Sequence, residues 1–287
     1  MKEKKVVNGN VCILIAAVLW SFGGAFTKLI PWGPLSIACL RALIAAGVLA
    51  IYRRTFRFSL TKSNIIGSIA MFFTTLCFIC ANKYTTAANA IVLQYTMPIY
   101  VILFNIIFRR ERPKGLDIAA VALTFVGIAV FFIDSMGAGT MLGNVLALGA
   151  GLCFAVVFFV SSDKDATPIE INYIGNLMYI FLIPFLFVDR QLVFTPASVA
   201  SILFLGIVQL GIAYIFFSKG IQNTSAISAS LISAVEPILN PVWAMIIIGE
   251  KPSLLSVLAG IFVVIVIAAY NIIKAKTEQN EMQKGNV

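Results

Sequence analysis

The residue in this chain best suited to chemistry is a single carboxylate inside a long apolar run. Glu236 lies about half way along the run from Thr224 to Ile248. If that run spans a bilayer, a charge at its centre costs roughly 2.5 to 3.5 kcal/mol, so something must offset it. We expect Glu236 to bind a cationic or amino group of a ligand, to carry a proton, or to satisfy backbone groups freed by Pro237.

Three other side chains share a helical face with Glu236. The successive spacings along the series are three, four and three residues, and its members are Ser233, Glu236, Asn240 and Trp243. Side chains at such spacings lie on one side of an α-helix. We therefore expect this face to look into the interior of the protein rather than at lipid.

Arg41 is a basic residue within an apolar run, about two turns, or roughly 10 Å, from the start of that run at Pro34. It can reach the membrane interface by extending its apolar stem. It can also orient a carboxylate of a ligand, or pair with Glu236. The sequence alone does not choose between these roles.

Further polar and aromatic side chains interrupt other apolar runs and predict a partly polar interior. Amides and phenols occur at Asn89, Gln94, Tyr95, Asn176, Tyr179, Gln209 and Tyr214. Trp20 and Phe154 can stack on a ligand or pack against neighbouring helices. Residues that permit a hinge or a close helix contact are Gly23, Gly24, Pro98 and Pro237.

The composition excludes a water-soluble globule. Of the 287 residues, 60% are hydrophobic and 11% are charged, and the mean hydropathy is +0.99. Too few polar side chains remain to cover a water-facing surface. The net charge of +9 does not indicate nucleic-acid binding, because Lys and Arg stand in short loops rather than in one patch. We expect a membrane protein that contacts the lipid bilayer and has no nucleic-acid partner.

The sequence lacks the usual motifs for metal, cofactor or nucleotide chemistry. Histidine is absent and the five cysteines lie inside apolar runs. A metal site or a histidine-based catalytic triad is therefore not expected. No Gly-rich phosphate-binding loop is found. We predict no cofactor and no enzymatic activity.

Spanning a bilayer as a helix takes about 20 apolar residues. Ten such runs, numbered here as spans 1 to 10, predict an all-α membrane protein. They are Asn10 to Ile30, Pro34 to Tyr52, Ser63 to Asn82, Thr85 to Phe108, Gly115 to Ile133, Leu142 to Ser161, Ile169 to Val188, Ala197 to Ser218, Thr224 to Ile248 and Ser253 to Ile273.

The distribution of basic residues predicts the orientation. Of the 21 Lys and Arg residues, 16 fall on the side that holds both termini. Basic residues are retained on the cytoplasmic side during insertion. Both termini are therefore expected in the cytoplasm, with the protein in the cytoplasmic (inner) membrane.

The sequence also repeats itself, with a shift of 139 positions in one part and 134 in another. Matched pairs include Thr85 with Thr224, Pro98 with Pro237, Glu111 with Glu250, and Gly9-Asn10-Val11 with Gly143-Asn144-Val145. Each copy holds five spans, an odd number, so the second copy enters the membrane inverted. We predict repeats at residues 1–134 and 142–274, enclosing a central cavity, and a polar, disordered cytoplasmic tail at 275–287.

The chain resembles the EamA-type branch of the drug/metabolite transporter superfamily over almost its whole length. The matching residues are Trp20 with Lys28, Pro34 with Arg41, Lys83-Tyr84-Thr85, Pro98 with Glu111, and Glu236-Pro237 with Gly249-Glu250. Two departures are Ser21, where the family often has Gly, and Arg109-Arg110 before Glu111. The resemblance implies ten helices in inverted repeats, with spans 1 to 4 and 6 to 9 around the cavity. It also implies transport of amino acids and other small metabolites, mostly by export.

We therefore predict a secondary transporter for a small amphipathic metabolite that works by alternating access. The drive would be a proton gradient or the gradient of the substrate itself. A lipid-linked or nucleotide-sugar substrate stays open as an alternative. An intramembrane lipid enzyme and a sensor or scaffold subunit are weaker alternatives, because Glu236 stands without a clustered nucleophile or base. The sequence does not reveal the oligomeric state.

Overall fold

The computed structural model describes residues 8–55, 58–85, 87–131, 133, 140–248 and 253–285. All the regular secondary structure in these ranges is helical, as predicted for an all-α membrane protein. Nine helices are long and apolar enough to cross a membrane, and a tenth, Gly115–Val130, is apolar but shorter. The described part of the chain therefore agrees with the ten predicted spans.

Helices α1 to α10 correspond to spans 1 to 10, and several are built of consecutive segments. Their bounds are α1, Gly9–Trp20 and Gly23–Lys28; α2, Pro34–Arg53; α3, Lys62–Tyr84; α4, Ala87–Gln94, Met97–Phe104 and the π-turn Asn105–Arg109; α5, Gly115–Phe131; α6, Met141–Ser161; α7, Pro168–Leu177, Met178–Leu182 and Ile183–Leu186; α8, Pro196–Phe204, Leu205–Ile212 and Ala213–Ile221; α9, Ala226–Ser233 and Val235–Ile248; and α10, Leu254–Gly285.

The polar segment at the end of α10 is helical, which differs from our prediction. We predicted that the polar residues after Lys274 lack structure, but α10 continues through Gly285. The physical reason lies in the composition of this segment, which is rich in Lys, Glu, Gln and Met. These residues lose little side-chain freedom in a helix and prolong one that is already nucleated.

Helices α4 and α9 are broken at equivalent positions of the repeat. The α4 segments separate at Tyr95 and Thr96, and the α9 segments at Ala234. Each break comes about one turn before a proline, Pro98 or Pro237. Proline has no N–H, so the carbonyl four residues earlier loses its helical partner. The two prolines were predicted as hinges, and the breaks lie beside them.

The same hydrogen bond is formed twice, at opposite faces of the bundle. Thr224 Oγ1 donates to Asn10 Oδ1 at 2.6 Å, at the face where α1 begins. Thr85 Oγ1 donates to Asn144 Oδ1 at 2.8 Å, at the other face. Each bond joins one half of the chain to the other, and the partners are matched by the repeat shifts. Two halves related by an approximate two-fold axis make such paired contacts.

We call the face where α1 begins the terminal face. There, two arginine–carboxylate pairs join the halves. Arg53 Nη2 lies 3.1 Å from Glu170 Oε1, and Arg109 Nη2 lies 2.6 Å from Asp163 Oδ1. The side chains of the first pair are only 3% and 11% exposed. Such charge-assisted bonds tie α2 to α7, and α4 to the loop after α6.

At the opposite face, the loop after α7 is tied to the start of α2 by Asp189. Its carboxylate accepts hydrogen bonds from Ser36 Oγ and from the backbone N–H groups of Gly33 and Gln191. Trp32 Nε1 also donates to Val193 O in this loop, at 2.7 Å. Both faces of the bundle are thus closed by contacts between the halves.

The attachment by Asp189 is expected to weaken in acid. Burial on its own raises the pKa of Asp189, but the three hydrogen bonds outweigh it, so the pKa lies below the ordinary 3.8. A lowered pKa in the folded state adds stability at higher pH, which is lost as the pH falls through the folded value. Asp189→Asn should lower the melting temperature at neutral pH. This difference from wild type should shrink below about pH 4, and a difference that stays constant with pH would contradict the assignment.

A pair of glycines in α6 provides a matched test of close helix packing. A Cβ on Gly151 would lie 2.6 Å from the backbone oxygen of Gln94, whereas a Cβ on Gly149 would meet nothing within 4 Å. Backbone cannot move aside as a side chain can, so Gly151→Ala should destabilise the protein by about 1–3 kcal/mol. Gly149→Ala should be neutral or stabilise by up to ~1 kcal/mol. Thermal unfolding in detergent measures both, and equal melting temperatures would show that α6 and α4 do not pack this closely.

Candidate functional site

Glu236 lies at the break in α9 and is bound by a tyrosine from α4. Tyr95 Oη lies 2.7 Å from Glu236 Oε2 and 2.9 Å from the backbone oxygen of Ser233. Tyr95 is only 3% exposed. The Ser233 oxygen is the carbonyl that Pro237 leaves without a helical partner. One phenol thus contacts both the half-buried carboxylate and the backbone carbonyl that the proline leaves free.

Arg41 faces the same centre from α2. It is 5% exposed and interacts electrostatically with Glu236, Tyr179 and Tyr214. Arg41 therefore does not extend to the membrane interface, which was one of the roles that the sequence left open. The side chain points inward, where a guanidinium and a carboxylate share one buried region of low dielectric constant.

Thr75 of α3 completes the polar centre, and sequence reasoning missed it. Its side chain interacts with the phenols of both Tyr179 and Tyr214. Tyr179 Oη in turn donates to Phe72 O at 2.9 Å. The charged and hydroxyl groups of this polar centre thus come from α2, α3, α4, α7, α8 and α9. They are Arg41, Thr75, Tyr95, Tyr179, Tyr214 and Glu236.

Aromatic rings border the polar centre on the side of α1. The ring of Trp20 lies 5.7 Å from those of Phe154 and Tyr214, and 5.5 Å from that of Phe217. The first two rings meet Trp20 edge to face, the arrangement that the ring quadrupole favours. Trp20 and Phe154 thus pack against each other. The site combines a wall of rings with two opposite charges.

Several predicted site residues carry a buried polar atom that has no hydrogen-bond partner within the described residues. They are Trp20 Nε1, Arg41 Nε, Gln94 Oε1, Asn176 Oδ1 and Gln209 Oε1. The amide group of Gln209 still donates to Trp20 O at 3.2 Å. Buried polar groups are nearly always bonded in proteins. Of these atoms, Trp20 Nε1 and Arg41 Nε border the polar centre, where a polar ligand or water would satisfy them.

The predicted glycine pair of α1 serves close packing against two amides. A Cβ on Gly23 would lie 2.9 Å from Gln209 Nε2, and one on Gly24 would overlap Asn240 Oδ1. Trp243 packs beside them, with its ring stacked 4.1 Å from Phe22 and its Nε1 donating to Ser21 Oγ at 2.8 Å. The face of α9 that carries Asn240 and Trp243 therefore contacts α1, in the protein interior.

Ser233 reaches the polar centre through its backbone rather than through its side chain. The side chain of Ser233 does not point at the centre, because Ser233 Oγ donates to Ala229 O within its own helix at 2.9 Å. It contributes its backbone oxygen instead. The side chain of Asn89 lies outside the described part of the chain. Within the described part of the chain, no three or more metal-ligating side chains lie close enough together to hold an ion.

These features are those of a multi-pass membrane protein with a buried polar centre. The model of the EamA-like transporter family matches residues 7–133 and, separately, residues 141–272. The chain belongs to the EamA-like transporter family.

Individual relatives agree with the family match. An uncharacterized transporter of Archaeoglobus fulgidus is 29% identical over 209 residues, which are 69% of this chain and 71% of that protein. The uncharacterized transporter YwfM of Bacillus subtilis is 26% identical over 265 residues, or 86% and 89% of the two chains. A solved crystal structure covers 92% of this chain and 98% of its own, with a TM-score of 0.78 and 17% identity. That likeness concerns the fold.

Proposed function

We propose that the protein is a secondary transporter of a small zwitterionic, amphipathic metabolite, an amino acid or a close relative. It would export this substrate across the cytoplasmic membrane, with both termini in the cytoplasm. The observation that carries the proposal is the placement of Arg41 and Glu236, two opposite charges, around one buried centre. A buried charge without a ligand is expensive, so residues of this kind mark substrate paths in membrane proteins.

The site offers a place for each part of such a substrate. Arg41 Nε and Trp20 Nε1, two unsatisfied donors near Tyr214, would bind the carboxylate. Glu236 would accept hydrogen bonds from the ammonium group. The rings around Trp20 would receive the apolar side chain.

Alternating access would use the breaks in α1, α4 and α9. In our proposal the repeats 1–134 and 142–274 rock about the centre, as inverted repeats do in other transporters. The Arg53–Glu170 and Arg109–Asp163 pairs would open at one face, and the Asp189 attachment at the other. If the contacts at one face break while those at the other face stay intact, the site is exposed to each side of the membrane in turn.

Uptake into proteoliposomes tests the proposed substrate class. The purified full chain is supplied with labelled L-leucine, L-phenylalanine and L-threonine, and with two blocked forms of L-phenylalanine. The methyl ester lacks the carboxylate and the N-acetyl form lacks the ammonium. Saturable uptake of at least one amino acid, with no competition by either blocked form, supports the proposal. Uptake of a nucleotide sugar instead, or equal competition by the blocked forms, would overturn it.

A further inference from the structure

At the break in α9, two acceptor groups compete for one hydroxyl hydrogen. The Tyr95 hydroxyl has a single hydrogen, yet two acceptors lie within reach, Ser233 O at 2.9 Å and Glu236 Oε2 at 2.7 Å. If Glu236 is ionised, both are pure acceptors and one goes without a bond. If Glu236 is protonated, it donates to Tyr95 Oη, and Tyr95 donates to Ser233 O. The second arrangement satisfies every group.

We propose that Glu236 is a proton-exchange site, and that Tyr95 transmits its protonation state to the break in α9. In the protonated state, Tyr95 bonds the carbonyl that Pro237 leaves free and holds the two α9 segments together. In the ionised state, Tyr95 turns its hydrogen to the carboxylate, because hydrogen bonds to a charged acceptor are stronger. The Ser233 carbonyl then loses its partner and the break loosens.

The charges around Glu236 can support both states. Arg41 from α2 is the cation that interacts with it, and it favours the ionised carboxylate. Tyr95 from α4 and Tyr214 from α8 are the titratable neighbours that interact with Glu236. Among the described residues of α1, α5 and α10, none contributes a further titratable group that interacts with Glu236.

This inference rests on the proposed function only where the proton meets the substrate. Arrival of a substrate ammonium at the protonated carboxyl would release one proton to the side of entry. The carboxylate would then hold the ammonium, and a proton from the other side would later displace it. One proton would thus move inward for each substrate molecule exported. The pair of Glu236 and Tyr95 has no copy in the other repeat. With the shift of 139 positions, Glu236 corresponds to Met97 and Tyr95 corresponds to Ala234.

Infrared spectroscopy tests the proton site without any substrate. The purified full chain in lipid vesicles is titrated with acid and base, and the stretching band of protonated carboxyl groups is followed. Wild type should show such a band at neutral pH, and Glu236→Gln should lose it. Tyr95→Phe should shift its frequency, because the protonated carboxyl loses the hydrogen bond that it donates to Tyr95 Oη. The matched controls Tyr100→Phe, in the same helix, and Glu170→Gln, at the terminal face, should leave it unchanged.

Other results of this titration would contradict the proposal. Absence of the band in wild type, or its survival in Glu236→Gln, would overturn the proton site. An unshifted band in Tyr95→Phe would overturn the role of Tyr95. A lumenal pH dye then reports protons moved during L-phenylalanine transport. A band that behaves as expected in a protein that transports none of the amino acids would refute the proposed substrate class and leave the proton site standing.

Discussion

Replacing Glu236 by Gln should lower amino-acid uptake by about 100-fold. Truncating one member of a buried, hydrogen-bonded charge pair costs about 2–5 kcal/mol, and each 1.4 kcal/mol is a factor of ten. Glutamine keeps the size of the side chain and can still meet Tyr95, so the fold should be retained. The change removes the negative charge that would hold the substrate ammonium.

Uptake of L-phenylalanine into proteoliposomes measures the effect, with melting temperature as a check on folding. The control is Glu111→Gln, an exposed carboxylate before α5, which should transport like wild type. If Glu236→Gln transports at the wild-type rate, the carboxylate has no part in substrate binding.

Arg41 is expected to control the other end of the substrate. Arg41→Gln should reduce uptake of L-phenylalanine by roughly 100-fold, because the buried guanidinium that would meet the carboxylate is lost. Arg41→Lys keeps the charge but not the planar donor group, so it should recover only part of the rate. In Arg41→Gln, L-phenylalanine methyl ester should become a competitor as effective as the free amino acid, and in Arg41→Lys the preference for the free acid should be reduced but kept.

The competition assay separates this role from a structural one. A protein that is merely destabilised would lose rate without changing its preference between the acid and its ester. Arg190→Gln, in the exposed loop after α7, is the control and should alter neither. Unchanged preference in the Arg41 variants would assign the residue to stabilising Glu236 rather than to the substrate.

Much of the site was predictable because charges within apolar runs are costly. That cost singled out Glu236 and Arg41, and the structure places both at one centre. The prolines predicted the broken helices α4 and α9. The position of each break, about one turn before the proline, follows from the missing N–H and the carbonyl it leaves free.

Other parts of the site had no signal in the sequence. Thr75 has the same residue type as its neighbour Thr74, which bonds Ala70 O in its own helix at 2.7 Å. A threonine in an apolar helix usually makes such a local bond, so only its position beside Tyr179 and Tyr214 in the folded protein distinguishes Thr75. The Ser233 oxygen is a backbone atom, which residue type cannot mark. Tyr95 was predicted as polar lining, but its two acceptors depend on the contact between α4 and α9.

Access to the centre from both sides is the property that decides whether this protein works as proposed. Thr75→Cys places a small thiol between Tyr179 and Tyr214, in a protein whose five native cysteines are replaced by alanine. A membrane-impermeant thiol reagent is applied to right-side-out and to inside-out vesicles. We expect labelling from both sides, slowed in both by a transported amino acid. Labelling from one side only, or at a rate that the substrate does not change, would contradict alternating access to this centre.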